Sequence, residues 1–97
     1  MSRIIVERQF EDPESVDELQ AQEDRFAWCL EQHRVKFIRS YFSKDRRRMI
    51  CEYEAPDAES VRVAQRKAGL PVTACYPCDV FGPEENGPKK RLEEAPQ

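Results

Sequence analysis

Residues 35–54 read VKFIRSYFSKDRRRMICEYE. Two runs rich in β-branched and aromatic residues flank a charged centre, Lys44-Asp45-Arg46-Arg47, and the pattern predicts an antiparallel hairpin of Val35 to Ser43 with Arg48 to Glu54. If Ser43 pairs with Arg48, Arg39 stands opposite Glu52, which sets unlike charges across from one another. One face then carries Phe37, Arg39, Tyr41, Ile50 and Glu52, and the other Ile38, Ser40, Phe42, Met49, Cys51 and Tyr53. A slip of one residue on either strand would scramble both sets.

Outward from the hairpin the pattern repeats on each side. Upstream, Arg3 to Phe10 (RIIVERQF) reads as a strand. Residues 14–34 read as one amphipathic helix, because Val16, Leu19, Phe26, Ala27 and Leu30 share a face at 100° per residue. Two starts compete for that helix: Asp12-Pro13, and a capping box of Ser15 with Glu18. Glu23 falls near the centre of the apolar face, His33 near its edge and Trp28 on the opposite side. Downstream, Asp57 caps a second helix to about Ala68, with small inward residues Ala58, Val61, Ala64 and Ala68 that permit close approach to a sheet. Gly69 and Pro71 stop it. Val72 to Phe81 is the last strand, which Pro77 confines to an edge or bulge. Two βαβ halves joined by a hairpin predict a ferredoxin-like α+β domain over residues 1–82: a βαββαβ chain with a four-stranded antiparallel sheet and both helices on one face. Residues 83–97 have a single Leu92 to bury and are expected to form a mobile tail.

At 97 residues the chain supports one modest core, so further burial by self-association is expected. With 36% charged residues and a net charge of −3, nothing in the composition suits nucleic-acid phosphates as a whole. The charge is nonetheless uneven. Six acids against Arg25 and Arg34 lie in residues 14–34, and six bases against Asp45 lie in residues 36–48. The pattern reads as two solvated faces of opposite sign that can meet across a dimer, and a basic hairpin on RNA or DNA is the other reading. No apolar run approaches the roughly 18 residues of a membrane span, and the N-terminus has no secretory pattern. A cytoplasmic location is expected, with Cys29, Cys51, Cys75 and Cys78 as reduced thiols.

The strings ERQF, VKFIRSYFS, MICEYEAPDAESV and QRKAGLP carry a further signal. Over roughly residues 3–81 the chain resembles a family of small domains of unknown function related to nickel-responsive, nickel-binding proteins, most specifically from EAPDAESV to AGLP. The resemblance implies a ferredoxin-like subunit, a dimeric α+β barrel and a metal or small-ligand site. It also implies histidines in the first strand and just before the glycine that closes the second helix. This chain departs there, with Glu7, Arg8 and Gln9 in the first place and Gln65, Arg66 and Lys67 in the second. Nickel favours imidazole nitrogen, and the chain has one histidine, His33.

The candidate chemistry is sparse. Glu7, Arg39, Tyr41 and Glu52 are candidate ligand-binding residues lining a pocket, although an ordinary cross-strand ion pair explains the charged ones as well. Glu23 is a candidate acid-base group if burial raises its pKa, and His33 another, with a helix-terminal cation as its plainer role. Cys75 and Cys78 have C-x-x-C spacing but lie in a strand, where no helix N-terminus activates them; as zinc ligands they would need help from Cys29, Cys51 or His33. Three functions follow: a homodimeric module holding a small polar ligand or a metal, a small cofactor-independent enzyme of the isomerase, cyclase or monooxygenase type, and an interaction module using the basic hairpin and Trp28.

Overall fold

The computed structural model describes residues 1–83. Its elements are β1 (Ser2–Gln9), α1 (Val16–Arg25), α2 (Ala27–Gln32), β2 (Lys36–Phe42), β3 (Arg48–Ala55), α3 (Ala58–Ala68) and β4 (Ala74–Cys78). The strands form one antiparallel sheet in the order β2-β3-β1-β4, which is the ferredoxin-like arrangement. Period-two alternation sends Ile4, Val6, Cys51, Tyr53 and Ala55 to the helix side, where they close over Val35 and Val61 as the core. Ile5, Glu7, Ile50 and Glu52, one residue out of phase, are left on the opposite face. The expected tail lies, from residue 84 onward, outside the described residues. Among the described residues no helix is long and apolar enough to cross a membrane.

Four local expectations are corrected. The helix of residues 14–34 is two helices, broken at Phe26, whose φ of −107° and ψ of 14° leave the helical range. A straight helix would keep Ala27 inward; the turn at Phe26 instead buries Cys29, whose Sγ lies 3.9 Å from the Ala64 carbonyl of α3. Val16, also placed inward by the period, is exposed. Of the two starts, Ser15 is the one used, its hydroxyl accepting from the Glu18 amide at 3.0 Å. The hairpin keeps the expected register from Arg39 to Phe42, but a bulge at Ile38 shifts Phe37 opposite Tyr53. Their rings meet at 5.6 Å, so Phe37 leaves the face of Arg39 and Tyr41. The last strand is shorter than residues 72–81, ending at Cys78, and lies at the sheet edge, where Pro77 removes no interior ladder bond.

α3 begins and ends as its sequence dictates. Asp57 accepts from the Ser60 amide at 2.8 Å, and Gly69 adopts φ 71° to let the Leu70 amide return to Gln65. A β-carbon on Gly69 would meet nothing within 4 Å, so only its backbone conformation resists substitution. Gly69→Ala is therefore expected to cost about 1 kcal/mol, read from urea denaturation; an unchanged midpoint would mean that the cap relaxes freely.

Candidate functional site

On the helix side, the sheet carries a buried charge. β1 alternation places Arg8 on the same face as Ile4 and Val6, and the residue is 2% exposed. A guanidinium removed from water must be hydrogen-bonded throughout to be tolerated. Here Nη1 donates to the Pro71 carbonyl at 2.9 Å, and Nη2 donates to Gln65 Oε1 at 2.7 Å and to the Tyr53 hydroxyl at 3.3 Å. Gln65 Nε2 closes the circuit by donating to the same hydroxyl at 3.1 Å. Burial, then the charges of Cys51 and Glu23, raise the Tyr53 pKa, so Tyr53 stays a neutral phenol.

The counter-charge is Glu23, from α1, whose Oε2 lies 3.7 Å from Arg8 Nη2 and whose side chain is 18% exposed. Burial raises its pKa above the ordinary 4.5, opposed by Arg8 and by a hydrogen bond from Tyr53. Glu23 also lines a groove of about 300 Å³ between α1 and the sheet, whose other walls are apolar at Leu19, Phe37, Phe42 and Met49 and polar at Gln20, Ser40 and the sequence candidate Arg39. α1 thus reaches the core through Leu19 and Glu23 while roofing a space of mainly apolar lining. A single carboxyl in such a space is a directional partner for an incoming donor group.

The sign of the pH effect follows from that shift. A carboxyl whose folded-state pKa is raised binds more protons folded than unfolded as pH climbs from 4.5 to the raised value, so stability declines across that window. Asp45 and Asp57 act oppositely, with pKa values lowered from 3.8 by their hydrogen bonds, so their support is complete above 3.8 and is lost on acidification. Glu23→Gln is expected to flatten the decline above 4.5 while leaving the acid limb intact, measured as denaturation midpoint against pH. An identical slope in both proteins would remove Glu23 as its origin.

The open face of the sheet holds the other sequence candidates in two separate groups. Glu52 bridges Arg3, with Nη1 to Oε2 at 3.1 Å, and Arg39, with Nε to Oε1 at 3.0 Å but off the line of a hydrogen bond. Glu7 instead accepts from the Tyr76 hydroxyl at 2.6 Å and shares a shallow depression with Tyr41, Arg48 and Ile50. Around these lie exposed apolar groups: Ile50 at 42%, Tyr41 at 57% and Tyr76 at 40%. His33 ends α2 and does not line the Glu23 groove. Cys75 and Cys78, three residues apart in β4, fall on opposite faces, and burial raises both thiol pKa values, which argues against a reactive dithiol. Trp28 is exposed on α2, and in the basic turn Arg46 stacks on Phe42 at 4.8 Å.

Sequence reasoning singled out Glu23 but missed Arg8, Tyr53 and Gln65. The signal was present, since Arg8 is in phase with Ile4 and Val6, Tyr53 with Cys51, and Gln65 lies four residues after Val61.

Sheet order, helix layer and a polar cluster between them define a ferredoxin-like α+β domain with a groove between α1 and the sheet. The chain belongs to the SCO4226-like family of nickel responsive proteins, whose model matches residues 5–77. Among solved structures it is similar to SCO4226 from Streptomyces coelicolor A3(2), with a TM-score of 0.75 at 15% identity, covering 84% of this chain and 100% of that one. At that identity the likeness speaks for the fold. None of the curated proteins matches the chain.

The family description raises nickel, and the residues present do not fit it. The stretches in which the resemblance implies histidines, 7–9 and 65–67, do meet in the fold, but they meet as Arg8 and Gln65. Among the described residues no three of His, Cys, Asp and Glu come together as a metal-binding group.

Proposed function

We propose that this chain is a binding domain that acts as a homodimer and takes a small organic molecule, with a hydrogen-bond-donating polar end, into the groove beneath α1. The observation that carries this reading is Glu23, a carboxyl set among Leu19, Phe37, Phe42 and Met49 and backed by a buried Arg8. Its acceptor oxygens favour a donor group, and the surrounding side chains favour an apolar body. Pairing of two open sheet faces would cover Ile50, Tyr41 and Tyr76, with the Arg3, Glu52 and Arg39 chain supplying unlike charges to a symmetry mate.

The test is to denature freshly purified, untagged protein and analyse the released small molecules by mass spectrometry. A molecule found with the wild type and lost from Glu23→Ala supports the groove; equal recovery from both contradicts it. A small acid-base enzyme is the second reading, favoured by the raised pKa of Glu23. Glu23→Gln separates the two, because binding retained with turnover lost would identify a general base.

A further inference from the structure

We infer that Arg8 supplies this chain's own interior cation, so that the domain folds and binds without nickel although its family is described as nickel responsive. The inference does not rest on the identity of the groove's ligand. Four oxygens from four parts of the chain surround one guanidinium: Gln65 Oε1 from α3, the Tyr53 hydroxyl from β3 and Glu23 Oε2 from α1 about Nη2, and the Pro71 carbonyl, from the segment after α3, at Nη1. Such a set of neutral oxygens with one carboxylate is what a cation requires, and the position is filled by the guanidinium of a residue that is 2% exposed. A divalent ion would have to expel a tethered positive charge or sit beside it in a medium that screens poorly, and both are unfavourable.

The donor chemistry agrees. Amide, backbone and phenol oxygens suit a guanidinium fork, whereas nickel prefers imidazole nitrogen. His33 stands at the end of α2, and the thiols are engaged or apart: Cys29 with the Ala64 carbonyl, Cys51 with Ser40, Cys75 with the Ala58 carbonyl, and Cys78 on the other face of the sheet. The arrangement also explains how an arginine comes to occupy an apolar-phase position in β1. It ties α1, α3 and β3 together, which are the attachments a central bound ion would make.

The full chain, treated with chelator and exchanged into metal-free buffer, is to be titrated with nickel chloride and followed by native mass spectrometry and thermal unfolding. The expected result is no retained nickel and an unchanged Tm. One nickel per chain surviving buffer exchange would overturn the inference, as would a Tm raised by roughly 10 °C at a hundredfold excess of ion over its Kd. Arg8→Ala gives the converse test: millimolar methylguanidinium is expected to raise the Tm of this variant and not that of the wild type. Rescue of the variant by nickel, with none by methylguanidinium, would overturn the inference equally. Should Arg8→Ala fail to fold, the wild-type titration decides the matter.

Discussion

Replacing Arg8 by methionine is expected to destabilise the domain by about 3–5 kcal/mol, the range for removing one partner of a buried, hydrogen-bonded charge pair. Methionine keeps much of the volume, so the loss is electrostatic rather than a cavity effect. It leaves Gln65 Oε1 and the Pro71 carbonyl without their donor and Glu23 without its counter-charge. Against a total of about 5–15 kcal/mol for an ordinary domain, that is enough to put a substantial fraction of molecules in the unfolded state. The deficit carries a pH signature. Glu23 already has a raised pKa, and without Arg8 it rises further, so the penalty is largest at neutral pH and shrinks on mild acidification, when a protonated carboxyl needs no counter-ion. Adding Glu23→Gln to Arg8→Met is expected to recover part of the loss, and a double-mutant cycle in urea reads the coupling directly. Additive effects across the cycle would show that the two charges, 3.7 Å apart, do not depend on one another.

Ile50→Lys is expected to weaken the proposed self-association sharply. Ile50 is 42% exposed on the face opposite the core, between Tyr41 across β2 and Glu7 across β1, so a lysine there disturbs no helix packing. In a two-fold interface the substitution enters twice, setting two cations into a surface that is otherwise partly apolar. Desolvating them is expected to weaken the dimer by at least roughly 100-fold, with the monomer's thermal unfolding little changed. Sedimentation at several concentrations reads the effect. A wild type that is already monomeric, or an Ile50→Lys protein that dimerises as the wild type does, would remove the open face as an interface.

The parts of the fold legible in the sequence are those set by local pattern. Arg39 opposite Glu52, the Asp57 cap and the Gly69 stop each follow from residues close together in the chain or directly across a tight hairpin. The departures arise from distant contacts. The bulge that turns Phe37 away exists because its ring meets Tyr53 on the helix side, and the break at Phe26 lets Cys29 pack on Ala64. A 3.6-residue period runs through such a break without registering it, since Leu19 before it is buried and Leu30 after it partly so.

The site was legible at one residue and obscure at three for a related reason. Glu23 is conspicuous because it interrupts an apolar helix face. Arg8 interrupts an apolar strand face just as plainly, but its charge alone suggests a solvent position; Gln65 and Tyr53, from α3 and β3, make its burial possible. A buried polar cluster assembled from four elements becomes visible only when the elements are docked. Glu7, Arg39, Tyr41 and Glu52 all reach the open face, yet there they divide between a shallow depression and an ion-pair chain.

Native mass spectrometry of the freshly purified, untagged wild type tests the central claim most directly, because one spectrum reports subunit number and any retained mass. A dimer carrying an organic molecule, and no nickel, is the predicted result. A bare monomer, or a chain carrying one nickel ion in place of an organic molecule, would contradict it.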